Sequence, residues 1–166
     1  MGYTHYMDRP VGNHGTAEMF GRLALDAKAI CEHAQSIGIR LAGPFGEMGT
    51  SPEFTEGYFA FNGEEGPDGD FAHETFRWEA NPVQPEWRSE ELSYFDFCKT
   101  AQKPYDAVVT AILIRAKEIY GNLLNVCSDG EWEPDPLSWG TWEKGRALYE
   151  EVFNVEAPCP FKRATV

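Results

Sequence analysis

The stretch Lys103-Pro104-Tyr105-Asp106-Ala107-Val108-Val109-Thr110-Ala111-Ile112-Leu113-Ile114 decides the fold. Its apolar residues run almost without a break, so no face is left for water, and a helix of this kind belongs in the middle of a core. Pro104 suits a first helical turn and Gly121 suits a stop, which predicts a helix from about Ala101 or Pro104 to Tyr120. The run is far short of the roughly 20 apolar residues of a membrane span.

Upstream, Phe20, Leu23, Ala27, Ile30, Ala34 and Ile37 recur at steps of three and four, behind Thr16 as an N-cap and ahead of Gly38. They predict an amphipathic helix over that range. Gly2 to Met7 alternates polar and aromatic residues and reads as a strand, with Tyr3 and His5 on one face and Thr4 and Tyr6 on the other. Asp8 to Gly15 reads as a loop. Ile39 to Ala42 reads as a short buried strand. Tyr58 to Asn62 and Phe71 to Trp78 read as a long hairpin closed by Gly63 to Asp70. Tyr94 to Cys98 and Leu123 to Cys127 read as further strands. A last helix is expected from an N-cap at Thr141 to about Asn154. Strands and helices mix without βαβ repetition. The expected architecture is therefore one α+β domain over 1–155, a mostly antiparallel sheet packed against about three helices, followed by an extended C-terminal tail over 156–166 that is expected to be loose.

The chain has 166 residues, with 14 Lys and Arg against 27 Asp and Glu, a formal net charge of −13. This length suits one domain able to bury its own core. Such a charge argues against direct binding to a phosphate backbone. Hydrophobic content of 42% and aromatic content of 14% are too high for a disordered acidic segment. The first eight residues carry neither a basic n-region nor an apolar h-region, and Tyr6 breaks a myristoylation motif, so cytoplasm is the expected compartment and no membrane is expected. Cys31, Cys98, Cys127 and Cys159 form no Cys-x-x-Cys pair and are expected as reduced thiols, three of them buried.

Three strings mark a resemblance. They are Gly2-Tyr3-Thr4-His5-Tyr6, Phe97-Cys98-Lys99-Thr100-x-x-Lys103-Pro104-Tyr105-Asp106 and Ser128-Asp129-Gly130, with Phe61-Asn62-Gly63 and His73-Glu74-Thr75-Phe76 between them. Through them the chain resembles, up to about Phe153, a group of small proteins carried by bacteriophages, actinobacteria and other mobile-element-rich genomes. Members often have Trp where this chain has Met7, and the Gly66 to Asp70 loop is longer here. The resemblance implies a phage accessory protein and supplies no catalytic residues.

Four constellations bear on function. At the start of the core helix, Lys99 and Lys103 stand where free N–H groups and the positive helix end favour an anion. Thr100 and Tyr105 complete that candidate anion or nucleotide site, and Cys98 there would have a lowered pKa. The plainer reading is a capped helix start, with Thr100 as N-cap, Asp106 on the dipole and Tyr105 packed. No P-loop pattern is present. Second, His5 and His73 lie on expected strands and, with Asp129 or Glu74, would suit acid–base or metal chemistry; the alternative is two ordinary hydrogen-bonded rings. Third, Asp129 follows a strand end, a common catalytic position and an equally common turn. No serine has a His and an Asp so spaced as to suggest a triad.

The fourth is charge distribution. Leu41 to Phe76 holds Glu47, Glu53, Glu56, Glu64, Glu65, Asp68, Asp70 and Glu74 and no Lys or Arg. Phe54, Tyr58, Phe59, Phe61 and Trp78 interleave with them. Acids among exposed aromatics can imitate a nucleic acid and fill a basic groove; solvated acidic loops are the bland alternative. The expected function is a small non-catalytic binding protein, an inhibitor that occupies a basic nucleic-acid-binding surface on a host protein. The alternative is a nucleotide- or phosphate-binding protein or small enzyme using Lys99, Thr100, Lys103, Tyr105, His5, His73 and Asp129 around the helix start. A virion assembly subunit is a third class. Sequence leans against catalysis, and no cofactor and no metal site is expected.

Overall fold

The computed structural model describes residues 2–161, and they form a single α+β domain with three helices and mostly antiparallel sheets. The central strand is β1, Thr4–Pro10. It pairs antiparallel on one side with β8, Ser93–Lys99, and on the other with β9, Asn125–Ser128. A second sheet is built on β4, Tyr58–Gly63, which pairs antiparallel with β2 (Leu41–Ala42), β3 (Glu53–Phe54) and β7 (Phe76–Glu79). A two-residue ladder, β5 (Glu65–Gly66) with β6 (Gly69–Asp70), sits inside the β4–β7 connection. The helices are α1 (Ala17–Ser36), α2 (Asp106–Tyr120) and α3 (Glu143–Phe153).

The decisive stretch behaves as its composition demands. Every residue from Ala107 to Ile114 is buried, and α2 packs against both α1 and α3. Gly145 makes the α2–α3 crossing possible, because a Cβ there would lie 1.9 Å from Thr110 Oγ1. Thr16 caps α1 as expected, its Oγ1 accepting from Met19 N at 3.1 Å. Lys117 closes α2, donating from Nζ to the carbonyls of Gly121 and Leu124.

Several expectations change. β1 runs on to Pro10 instead of ending at Met7, because β8 offers Tyr94 and Ser93 as partners for Arg9 and Pro10. Residues Tyr3, His5, Met7 and Arg9 are all buried, so the inward face of this strand carries polar groups as well as apolar ones. The strand expected from Phe71 begins only at Phe76. Asn62 takes the backbone of His73 instead, donating from Nδ2 to His73 O at 2.9 Å and accepting from His73 N at 3.0 Å. The cap of α3 falls at Trp142, whose side chain is fully buried, while Thr141 bridges to Glu131. Cys31 and Cys98 are buried but Cys127 is exposed and Cys159 half-buried, two buried thiols where three were expected.

The segment after α3 is not loose as far as it is described. Ala157 is buried, its N–H reaches Glu150 Oε1 at 3.1 Å, and the Phe161 ring packs edge-on against Trp142. The rest of the expected tail, 162–166, lies outside the described residues. Among the described residues no helix is long and apolar enough to cross a membrane.

Candidate functional site

The candidate site is built where β1, β9 and the start of α2 meet. Before α2 the chain turns sharply: Lys103 N bonds Thr100 O at 3.0 Å, and the two residues between have positive φ, 50° at Ala101 and 56° at Gln102. That is the pattern of a type I′ turn, made here without glycine. Each such residue costs on the order of 1 kcal/mol. Two bonds hold the turn in place. Thr100 Oγ1 donates to Asp106 Oδ1 at 2.5 Å, and Gln102 Nε2 donates to Trp139 O at 2.6 Å.

His5 lies beneath this turn with no exposure. Its Nδ1 is 2.8 Å from Ser128 Oγ and its Nε2 is 2.7 Å from Asp106 Oδ1. Ser128 Oγ already accepts from Gly130 N at 2.9 Å and Trp142 Nε1 at 3.0 Å. Both of its lone pairs are therefore occupied, so the serine proton points to Nδ1 and the ring carries its own proton on Nε2, donating to Asp106. The rings of Tyr3 and Trp142 close edge-on around the imidazole, each at 5.2 Å. Gly130 is required here, because a Cβ would stand 1.9 Å from the Tyr3 hydroxyl oxygen. A serine, a histidine and an aspartate thus meet through the fold, with no spacing in the sequence to announce it. With the imidazole sealed and the serine oxygen saturated by two donors, the trio is arranged as a brace joining three elements, not as a nucleophile with its base.

The expected ligand residues divide. His5, Thr100 and Tyr105 gather at the start of α2, and Asp129 stands at the end of β9, where its Oδ2 accepts from Thr4 N at 2.9 Å. Tyr105 is buried and donates to Glu74 O at 2.7 Å, so its hydroxyl ties loops together. Thr100 does not cap α2; it donates to Asp106. Lys99 and Lys103 turn away: Lys99 Nζ lies 3.9 Å from Glu74 Oε1, and Lys103 Nζ donates to Asp70 O at 2.7 Å. The N–H groups of Asp106 and Val108 are taken by Lys103 O and Tyr105 O, leaving little at the helix start for an anion. His73 is exposed, while His5 is buried with both nitrogens engaged by Ser128 and Asp106. Cys98 is buried, and burial pushes its thiol up, not down.

Beside this brace a cleft of about 680 Å³ opens between the start of α2, α3 and the 135–141 loop. Four carboxylates line it (Asp106, Asp135, Glu143, Glu151) against Lys103 and Lys144. Its charge is opposite to that of an anion pocket. Among the described residues no three His, Cys, Asp or Glu side chains cluster as a metal site would need.

The acidic stretch is partly neutralised. Arg40 pairs with Glu64 at 2.5 Å and with Asp68 at 3.3 Å, and Asp70 lies 3.7 Å from Lys103. Glu47, Glu53, Glu56 and Glu65 are exposed with no ion-pair partner among the described residues; Glu53 Oε2 only accepts from Tyr58 at 2.8 Å. The 43–52 loop and the β5–β6 ladder lie side by side, with Glu65 N bonded to Gly46 O at 2.8 Å and Glu47 bridged to Glu65. On this loop Phe45 is 84% exposed and Met48 58% exposed. The interleaved Phe59, Phe61 and Trp78 are core residues, so the apolar contribution to this surface comes from Phe45 and Met48 instead.

Set against known protein families, curated proteins and solved structures, the chain finds no match.

Proposed function

We propose that this chain is a non-catalytic binding protein that docks the 43–52 loop and the β5–β6 ladder on a basic surface of a partner protein, of the kind that otherwise grips nucleic acid. One observation carries the reading. Phe45 and Met48 stand exposed beside Glu47 and Glu65, neither carboxylate held by a cation among the described residues. Exposed large apolar side chains rimmed by charge are the composition of an interaction patch. Unpaired acids around them speed and orient the encounter with a basic surface. The resemblance to phage-carried proteins favours a host protein as that partner. The nucleotide or phosphate reading has less support, because Lys99 and Lys103 already face Glu74 and Asp70.

The test places a benzophenone amino acid at position 45 and irradiates the full chain in host lysate. The reading expects a cross-link to a basic protein that is lost at high salt and competed by duplex DNA, and that Glu47→Lys with Glu65→Lys weakens. No cross-link, or one indifferent to salt and DNA, overturns it.

A further inference from the structure

At the far end of β1 from His5, the inward face carries a second polar group, Arg9. The residue is only 8% exposed. Its guanidinium has five N–H donors, yet among the described residues the one acceptor within hydrogen-bond geometry is Glu79 O, 3.0 Å from Nη1. Its faces lie against aromatic rings, 4.5 Å from the Trp78 centroid and 5.8 Å from that of Tyr120, whose hydroxyl also faces it. Arg40, Arg77, Arg88, Arg115 and Arg146 each hold a carboxylate as an ion-pair partner. Arg9, the most deeply placed, holds none among the described residues. Burial pulls its pKa down by more than the Tyr120 hydroxyl and the more distant Asp96 and Glu79 carboxylates pull it back. Buried charges are normally paired, because desolvation costs several kcal/mol per ion.

The guanidinium does not face solid protein. It lines a cavity of about 250 Å³ under the 82–85 segment. A second guanidinium, Arg77, lines the same cavity, its Nε held by Glu79 Oε1 at 2.8 Å and its plane stacked over Tyr58 at 3.8 Å. The walls are Trp78, Tyr94 and Phe95. Two guanidiniums in one small cavity are conspicuous in a chain with so few basic residues.

From this geometry we infer that Arg9 and Arg77 form a binding site for a single-ring aromatic carboxylate. A carboxylate matches the planar fork of a guanidinium with two parallel hydrogen bonds and would neutralise Arg9. The aromatic walls would hold the ring by offset or edge contacts. The cavity is smaller than the roughly 300–1,000 Å³ of sites for drug-sized ligands, which excludes a nucleotide. Glu79 and Asp96 also line it, and their negative charges disfavour a phosphate dianion more than a monoanion. The site is separate from the acidic loops and does not depend on them.

The test titrates the full chain with benzoate and phenylacetate, using benzyl alcohol, benzylamine and inorganic phosphate as controls, read by calorimetry and by thermal shift. The inference expects saturable binding of the two carboxylates and none of the controls. Arg77→Gln, at a half-exposed position, should keep the fold and weaken binding roughly tenfold, the loss of one charge-assisted bond. Arg9→Met should keep the fold and abolish binding. Absence of saturable carboxylate binding overturns the inference, as does equal binding of benzyl alcohol or of phosphate. Should Arg9→Met fail to fold, Arg77→Gln decides alone, and unchanged affinity there overturns it.

Discussion

His5 Nε2 lies 2.7 Å from Asp106 Oδ1, joining the central strand to the first residue of the core helix across 101 positions of sequence. Asp106 Oδ1 also receives the Thr100 hydroxyl, so one oxygen anchors a strand and a strained turn together. Asp106→Ala would leave a buried imidazole N–H and a buried hydroxyl without an acceptor. Its expected cost is about 2–4 kcal/mol, seen as a lower urea midpoint with an unchanged slope. Asp106→Asn keeps an oxygen at that place and should cost about half as much or less. Equal losses for the two variants would show that charge, not the hydrogen-bond acceptor, is what matters there.

Gly145 in α3 faces Thr110 in α2. On helix propensity alone, Gly145→Ala should stabilise by about 1 kcal/mol. Here the added methyl would lie 1.9 Å from Thr110 Oγ1 and 3.1 Å from Ala111 N, so the helices must part. Overpacking of this kind costs about 1–3 kcal/mol. The expected outcome is a net loss in chemical denaturation, partly recovered when Thr110→Ala is added. A gain would mean that the crossing is looser than its contacts.

The core helix was legible because Ala107 to Ile114 leaves no polar face, and α1 because Thr16, its apolar stripe and Gly38 agree. The pairing of Tyr58–Asn62 with the strand ending near Trp78 was legible from its turn residues. The His5–Asp106 contact was not, since nothing in sequence relates residues that share no helix or hairpin. Arg9 was hidden by Pro10 and Gly12, which signal a loop and mask the inward register of β1. The placement of Phe59 and Phe61 was hidden too. β4 is buried on both faces, so its sequence lacks the alternation that would separate inside from outside, and the acids around it lent those rings a surface appearance.

Ala101 holds φ at 50° without a bonding role for its side chain. Glycine reaches this conformation freely but loses more entropy on folding. The left-handed penalty of about 1–2 kcal/mol exceeds that loss of about 0.5–1 kcal/mol, so Ala101→Gly should stabilise by about 0.5 kcal/mol. Gln102→Gly gains the same relief but gives up the bond to Trp139 O, and should be close to neutral. Thermal unfolding of the two variants side by side checks the ordering; a loss for Ala101→Gly would contradict it.

Thiol reactivity should separate the four cysteines. Cys31 and Cys98 are buried, and desolvation pushes both thiols well above their ordinary range. Only a thiolate alkylates, so raising these values lowers the reactive fraction at any pH near neutrality. Cys98 Sγ also faces Glu74 O at 3.7 Å, a contact that uses the proton a nucleophile must lose. Cys127 is exposed and Cys159 half-buried. Iodoacetamide at mildly alkaline pH, followed by peptide mass spectrometry, should therefore modify Cys127 first and Cys159 next. Cys31 and Cys98 should react only after denaturant is added. Cys98 in the folded chain should stay silent as the pH is raised through the mildly alkaline range. Native Cys98 reacting as fast as Cys127 would overturn this and restore it as a candidate nucleophile before α2.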